Sequence, residues 1–231
     1  MKLYYDLHIH SALSPCADDS MRPKDIASMA KIKGLGVISI IDHVCGKNLL
    51  VSSNEAKEKG LLFLPGVEVT SANGIHLLCY FKDIDKAIEF SDMMYKTLPE
   101  KKIDIEYYGN QLIIDERDEV KEKLDNSLFQ NTRFSVWDII GLVYEYSGVV
   151  VPAHIDREYN GILAIEGDKI KEYNFNVVEV RKNMPMNYGI IKGSKVLYNS
   201  DAHILSRISE AENFIEINEK SIDAVFDYLT K

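Results

Sequence analysis

The six histidines of this 231-residue chain are the residues whose type and spacing point most directly to chemistry. Imidazole titrates near neutral pH and is the commonest metal ligand in proteins. His8 and His10 lie two residues apart at the end of a β-rich run, so both side chains project to one face of a predicted strand. Such a pair indicates a shared metal, with a chance pair or a hydrogen-bonded core pair as the alternative.

The other four histidines also lie at the ends of apolar runs, and acidic residues accompany them. His43 follows Asp42 after an apolar strand, and Glu68 stands between two valines, where an unpaired carboxylate would be costly to bury. A lysine partner or a metal would remove that cost. The remaining candidates are His76, His154, Asp201 and His203. Since no histidine falls on a predicted exposed helix, the set together predicts a multi-metal site.

The elements that must position these residues alternate between short β-rich runs and longer stretches of helical period, which is typical of β-α units around a largely parallel sheet. The predicted strands are 2–8, 37–42, 61–70, 75–81, 149–152, 177–180, 196–199 and 213–217. The predicted helices are 23–33, 49–59, 85–95, 135–146, part of 162–173, 206–210 and 221–229. Seven or so such units in an α/β chain favour a barrel of the TIM type, with functional groups at the C-terminal strand ends.

Two local features refine this arrangement. Asn73-Gly74 predicts a hairpin that places Glu68 and His76 on adjacent strands. The segment 101–134 breaks the alternation and predicts a second hairpin or a charged excursion. Since no linker, repeat or low-complexity tract marks a boundary, we expect one domain over residues 1–231 with an excursion at about 101–134.

Composition excludes several classes of protein. The chain has 27 Lys and Arg against 36 Asp and Glu, a net charge of −9 that makes long nucleic acid an unlikely partner. Three cysteines are too few for a disulfide framework and fit a reducing, cytoplasmic compartment. No apolar run approaches the roughly 18 residues that a membrane span needs. Oligomeric state is open.

The ordered motifs resemble those of the PHP (polymerase and histidinol phosphatase) family of metal-dependent phosphoesterases. They span nearly the whole chain and comprise DLHIHS at 6–11, IDH at 41–43, GVE at 66–68, His76, PAH at 152–154 and SDAH at 200–203. The resemblance implies a distorted (β/α)7 barrel with a trinuclear metal centre, and it divides the ligands among three metals. His8, His10, Glu68 and Asp201 would hold the first, Glu68, His76 and His154 the second, and His43 and His203 the third with a residue of the first loop.

That first-loop ligand is where the sequence departs from the family pattern. The family places an acid five residues after the second histidine, but position 15 is proline here. The acid normally precedes the helix-starting proline by five, and counting back from Pro23 selects Asp18, with Asp19 and Cys16 as rivals. Asp42 is expected to orient a ligand imidazole rather than to bind metal.

Imidazole and carboxylate ligands without clustered thiolates suit Zn²⁺, Mn²⁺ or Fe²⁺, and two or three such ions would activate water for attack on a phosphate ester. Phosphate-loop, GxSxG, GxGxxG and CxxC motifs are absent from the sequence. Asp201 or His203 would return a proton to the leaving group. Arg157, Arg181 and Arg207 lie near strand ends and are candidates to bind the phosphate, with Arg157 also a catalytic candidate and solvated arginines as the alternative.

The favoured function is therefore hydrolysis of a small phosphorylated metabolite or nucleotide by metal-activated water. The alternatives are a 3′-5′ exonuclease acting on short single strands, a histidinol-phosphate phosphatase, and a non-catalytic metal-binding regulatory protein. The net charge and the lack of a basic, aromatic-interleaved stripe weigh against the exonuclease.

Overall fold

The computed structural model describes residues 1–181 and 188–231, which form a mixed α/β fold. The strands are β1 Lys2–Ile9, β2 Val37–Ile40, β3 Leu62–Phe63, β4 Gly66–Thr70, β5 His76–Phe81, β6 Leu112–Ile114, β7 Val120–Lys123, β8 Gly148–Pro152, β9 Val177–Glu179, β10 Lys195–Leu197 and β11 Phe214–Glu216. The α-helices are α1 Pro23–Ile32, α2 Leu49–Glu58, α3 Ile84–Tyr95, α4 Ile105–Tyr108, α5 Val136–Glu145, α6 Ile162–Ile165 and α7 Ile222–Thr230. Short 3₁₀ helices span Gly167–Tyr173, Tyr188–Ile191 and Leu205–Arg207.

A four-stranded sheet in the order β11-β1-β2-β3 carries the first two histidine motifs. β1 pairs in parallel with β2, and β2 with β3, whereas β11 runs antiparallel to β1. The register between β1 and β2 shifts between Asp6 and Ile9, next to His8. Residue His10 follows the last strand residue directly, so both imidazoles emerge at the C-terminal end of this sheet.

A second sheet in the order β4-β5-β8 is antiparallel throughout. The predicted Asn73-Gly74 hairpin joins β4 to β5, and Gly74 adopts the positive φ of 91° that such a turn requires. Thr70 pairs with His76, which puts Glu68 and His76 on the same face. Val67 and Val69 pack into the helix-covered core, so Glu68 between them projects to the opposite face.

The sequence-based prediction of one strand over 61–70 is wrong in one respect. The structure divides this stretch into β3 and β4 on either side of Pro65. Proline has no backbone N–H to donate to a ladder, so it ends one pairing and allows the next. β3 therefore pairs with β2, while β4 pairs with β5.

β9 and β10 form a two-stranded parallel sheet. Within the described part of the chain, its backbone hydrogen-bond ladder does not continue into either of the two larger sheets. Over residues 1–181 and 188–231 the hydrogen-bonded ladders are thus separate sheets, and the mixed α/β single-domain class is the part of the fold prediction that is confirmed. None of the helices in these two ranges is long and apolar enough to cross a bilayer.

The segment 101–134 contains α4 and the antiparallel hairpin β6-β7. It packs over the loop that follows β1, where the backbone N–H of Leu112 donates to the carbonyl of Ala12 at 2.7 Å. At its far end the ring of Phe129 lies with its centroid 5.2 Å from that of His43 and 6.5 Å from that of His76. The excursion therefore covers one side of the histidine cluster.

Candidate metal centre

Glu68 stands at the centre of the site, buried on β4 with 1% of its surface exposed. Its Oε1 lies 2.8 Å from Nδ1 of His76 and 3.6 Å from Nε2 of His154. Its Oε2 lies 3.1 Å from Nδ1 of His43 and 3.4 Å from Nε2 of His10. One carboxylate thus faces imidazoles from four separate chain segments, which is the geometry expected of a bridging ligand.

His8, His10 and Asp201 form a second group beside Glu68. Oδ1 of Asp201 lies 3.3 Å from Nε2 of His8 and 3.2 Å from Nε2 of His10. The two Nε2 atoms are 3.1 Å apart. These side chains come from the ends of β1 and β10, which an isolated parallel bridge between Ile9 and Ala202 brings together.

Hydrogen bonds on the far side of each ring fix which nitrogen faces the cluster. Nδ1 of His8 lies 3.0 Å from a carboxylate oxygen of Glu179, and Nδ1 of His10 lies 2.9 Å from Oγ of Ser14. The Ser14 hydroxyl donates to Asp42 at 2.6 Å, so its oxygen accepts the proton of His10. In the neutral form of each ring, Nε2 therefore carries the lone pair and faces the cluster, where it could bind a cation.

The buried atoms without hydrogen bonds test whether metals fit here. Among the residues that the structure describes, these atoms include Nδ1 of His43, Nδ1 of His76, both ring nitrogens of His154 and Oε1 of Glu68. Unpaired buried polar atoms are costly, and these converge on one place. Sets of ligand atoms within 4.8 Å of one another include His8 with His10 and Asp201, His10 with His43 and Glu68, and Glu68 with His76 and His154. The residues present fit divalent metal ions.

Burial and charge set the protonation states of the cluster. Burial acts to raise the pKa of Glu68 and of Asp201, but the neighbouring imidazoles hold both well below their usual range. Burial lowers the pKa of His43 well below its usual range and that of His203 to about 4. Anionic carboxylates and neutral imidazoles are the states that bind metal. The proton-donor role predicted for Asp201 or His203 stays a prediction.

His8 differs from these two histidines. Burial acts to lower its pKa, but the carboxylates of Glu179, Asp201 and Glu68 hold that pKa well above its usual range. The imidazole therefore attracts a cation at Nε2, either a proton or a metal. In the presence of metal, the metal takes the proton's place.

Glu179 is the functional residue that sequence reasoning missed. It ends β9 and is 2% exposed, and its carboxylate accepts hydrogen bonds from His8, from the backbone N–H of His154 at 2.9 Å and from Asn199 at 2.6 Å. It orients two of the predicted ligands at once. An acid among the valines at 177–180 is the same signal that identified Glu68, so the pattern was available in the sequence.

Asp42 is also placed away from the metal-facing atoms, in agreement with the orienting role expected for it. It contacts no imidazole directly: its carboxylate accepts from the hydroxyls of Ser11 and Ser14 and from the backbone N–H of Ser11. Its influence on His10 passes through Ser14.

The first loop does not bring Asp18 into the cluster, and the geometry disagrees with its choice as a ligand. The Asp18 carboxylate is exposed and accepts from the backbone N–H of Ser20 at 2.8 Å. Asp19 is also turned away and accepts from Asn110 at 2.7 Å. Cys16, the third candidate, places Sγ 3.1 Å from Nε2 of His203 and 3.4 Å from Nε2 of His43.

All three predicted phosphate-binding arginines line one cavity of about 550 Å³. Arg157 pairs with Oδ2 of Asp201, the carboxylate whose other oxygen faces His8 and His10. Arg181 pairs with Asp156. The cavity is also lined by His154, Lys33 and the acidic residues Glu179, Asp201, Glu210 and Glu212. It therefore opens directly on the histidine cluster and places guanidinium groups beside it.

Three of the seven non-glycine residues with positive φ in the described ranges lie at this site. Val44, His154 and Asp201 all adopt positive φ, at 55°, 27° and 50°. Residues other than glycine rarely occupy this region, and a β-branched valine does so least readily. Each of the three is a predicted ligand or is next to one, so unfavourable backbone conformations accompany the placement of these ligands.

Comparison with known proteins places this geometry in context. No protein-family model matches the chain. A stretch of 71 residues, 31% of this chain, is 32% identical to a 3′,5′-nucleoside bisphosphate phosphatase from Chromobacterium violaceum and covers 24% of that protein. The lesion-specific endonuclease PfuEndoQ from Pyrococcus furiosus superimposes with a TM-score of 0.73 at 19% identity, over 99% of this chain and 56% of that one.

A two-domain protein from Bacteroides vulgatus that contains a predicted PHP-like metal-dependent phosphoesterase superimposes with a TM-score of 0.61 at 16% identity, over 99% of this chain and 62% of that one. The chain spans less than two thirds of the length of each of these three relatives. The chain therefore shares its fold with both solved structures, one of which contains a predicted PHP-like metal-dependent phosphoesterase, as the resemblance drawn from the motifs predicts.

Proposed function

We propose that this protein is a metal-dependent phosphoesterase that hydrolyses a small phosphorylated metabolite or nucleotide. One observation carries the proposal: buried imidazoles and carboxylates converge with unpartnered ligand atoms beside a cavity lined by arginines. Two or three divalent ions, Zn²⁺, Mn²⁺ or Fe²⁺, would occupy the cluster. Their proposed ligands from the strands and strand ends are His8, His10, His43, Glu68, His76, His154, Asp201 and His203.

In this scheme the bound metals would activate water and neutralise charge on the phosphoryl oxygens. The residues of the chain do the rest. Arg157 supplies a planar pair of donors to the phosphate and keeps Asp201 directed at His8 and His10. Arg181 and Arg207 add positive charge on the same cavity wall. Glu179 and Ser14 hold the rings in place, so the ligands need not reorganise during the reaction.

We also infer that the strands follow the course of a distorted (β/α)7 barrel with the site at its C-terminal mouth. Two isolated parallel bridges support this, Ile9 with Ala202 and His43 with Glu68, since each lies between sheets that are otherwise separate. A further backbone hydrogen bond from Ile155 to Glu179 links the end of β8 to β9. The single domain over 1–231 and a cytoplasmic location belong to the same proposal.

The 3′,5′-nucleoside bisphosphate phosphatase resemblance suggests the first substrates to test. The purified protein, loaded separately with Zn²⁺, Mn²⁺ and Fe²⁺, is assayed for phosphate release from phosphomonoesters, histidinol phosphate, nucleoside bisphosphates and short oligonucleotides. We expect turnover of a small ester that a chelator abolishes and added metal restores. Glu68→Gln, verified as folded by circular dichroism, is expected to lose at least about a thousandfold in kcat because the bridging charge is gone.

The assay also separates the alternatives. Preferential degradation of single-stranded oligonucleotides would favour the exonuclease. A protein that binds metal stoichiometrically but turns over none of these substrates would contradict the proposal and favour a non-catalytic role. Wild type and Glu68→Gln are purified in the same way, so a contaminating phosphatase would be present in both preparations. Equal activity in the two would therefore also overturn the proposed function.

A further inference from the structure

Cys16 lies in the first loop at a place where sulfur meets two of the proposed ligands. Sγ is 3.1 Å from Nε2 of His203 and 3.4 Å from Nε2 of His43. A set of ligand atoms from Cys16, His10 and His203 lies within 4.8 Å. The thiol is therefore part of the cluster and is not an isolated surface cysteine.

The ring orientations leave lone pairs directed at this sulfur. Nδ1 of His203 donates to the backbone carbonyl of Asp201 at 2.7 Å, so Nε2 is the unprotonated nitrogen. The Nδ1 side of His43 faces Glu68, and this imidazole is 97% buried with no hydrogen bond at Nδ1. Its Nε2, on the other side of the ring, is thus directed at Sγ of Cys16.

The separations agree with a metal between these atoms. With a metal–sulfur distance of about 2.3 Å and a metal–nitrogen distance of about 2.05 Å, tetrahedral angles put sulfur and nitrogen about 3.5 Å apart. The two observed separations, 3.1 and 3.4 Å, are close to that value.

We propose that Cys16 is a thiolate ligand of a metal position that it shares with His203, next to His10 and His43, and that this position takes thiophilic divalent ions in preference to Mg²⁺ or Ca²⁺. The inference rests on the proposed metal-dependent function and names a ligand where the family pattern has an acid. On binding, the thiol S–H bond breaks, its proton leaves to solvent and the sulfur lone pair forms the bond to the metal, with no change of oxidation state. Soft thiolate ligands favour Zn²⁺, Fe²⁺ and Co²⁺ over ions that prefer oxygen.

The chain offers a direct readout, because Cys16 is exposed while Cys45 and Cys79 are buried at 3% and 0% exposure. Alkylation of the folded protein by iodoacetamide at alkaline pH, where the thiolate forms, mapped by peptide mass spectrometry, should therefore modify Cys16 ahead of the two buried cysteines. We expect saturating Zn²⁺ to slow this reaction at least about tenfold, since the lone pair is engaged by metal, and Mg²⁺ to leave it unchanged. Equal alkylation of Cys16 with three zinc ions bound, counted by native mass spectrometry, would overturn the proposal.

Cys16→Ala and Asp18→Asn form a matched pair, since both change exposed positions of one loop. The proposal expects Cys16→Ala to bind one Zn²⁺ fewer or to bind it at least about tenfold more weakly, with Asp18→Asn unchanged. The reverse result would assign the position to Asp18. In the Co²⁺-loaded protein, a thiolate-to-metal charge-transfer band that Cys16→Ala lacks would support the assignment, and its absence from wild type with three Co²⁺ bound would contradict it.

These readouts are independent of turnover. If Zn²⁺ protects Cys16 from alkylation in a protein that hydrolyses none of the substrates, Cys16 is supported as a metal ligand and the proposed function is contradicted. If the protein hydrolyses a phosphate ester but Cys16 stays reactive with all metal positions occupied, the proposed function is supported and Cys16 is contradicted as a ligand.

Discussion

At the residue scale, the site is organised by acceptors on the far side of its imidazoles. The types and spacing of the histidines predicted that they would meet, because strand ends converge in an α/β fold. They did not predict which buried acid faces metal and which faces a ring: Glu68 and Glu179 stand in the same kind of apolar strand. Nor did they choose between Cys16 and Asp18, since a loop's side-chain directions depend on turns such as the one at Ser20.

Glu179 tests this organisation. We expect Glu179→Gln to weaken metal binding about 10- to 100-fold, because the amide removes the negative charge that raises the basicity of His8 and holds its ring. Competition with a chromogenic chelator measures the affinity. Glu172→Gln, an exposed change on the nearby 3₁₀ helix, is the matched control. Equal affinities in the two variants would show that the charge of Glu179 does not support the site.

Arg207 tests the phosphate-binding wall. Its guanidinium makes no ion pair with the residues at 1–181 or 188–231, yet it lines the cavity beside the cluster. It is therefore available to substrate, and we expect Arg207→Ala to raise KM for the phosphate ester about tenfold with kcat nearly unchanged. Steady-state kinetics check this. Arg117→Ala, an exposed position outside the cavity, should leave KM as in wild type, and a comparable rise there would point to a general charge effect.

At the element scale, strongly periodic segments were predictable and connections were not. The predicted helix over 23–33 matches Pro23–Ile32 because proline suits the first turn and Gly34 follows with positive φ. The prediction over 61–70 failed at Pro65, where loss of one N–H lets the chain leave the first sheet and enter the second. Which sheet a strand joins depends on which neighbouring strand it pairs with, and the local sequence pattern does not determine that neighbour.

Helix α5 gives a test at this scale because its start is fixed by a capping box. The Ser135 hydroxyl accepts from the backbone N–H of Asp138, and the Asp138 carboxylate accepts from the backbone N–H of Ser135. We expect Ser135→Ala to cost about 1 kcal/mol of unfolding free energy, a fall of about 2–4 °C in Tm. Thermal denaturation measures it. Ser28→Ala, within α1, should change Tm by less, and metal affinity should be unchanged in both variants.

At the scale of the whole molecule, the net charge bears on which substrates the protein can bind, and the buried cluster bears on how stable the metal-free fold is. The chain carries a net charge of −9, whereas the lining of the cavity combines Lys33 and three arginines with Glu179, Asp201, Glu210 and Glu212, so basic and acidic side chains balance there. That arrangement suits a small anion better than an extended polyanion, whose remaining phosphates would meet acidic surface. The cluster itself adds unpaired buried atoms and strained φ angles, which reduce the stability of the metal-free fold.

Metal binding should therefore be visible as stability of the whole chain. A ligand that binds only the native state adds RT ln(1 + [L]/Kd), about 2.7 kcal/mol at a hundredfold excess over Kd. For a chain of this length that corresponds to a rise of about 5–11 °C in Tm. We expect a chelator to lower Tm by such an amount and Zn²⁺ or Mn²⁺ to restore it, measured by circular dichroism after removal of free chelator. Glu68→Gln should show a much smaller response to added metal, because the substitution removes the negative charge of the carboxylate whose two oxygens face His43 and His76. An identical Tm with and without metal in wild type would mean that the cluster is satisfied without ions, and the unpaired imidazoles would then need another partner.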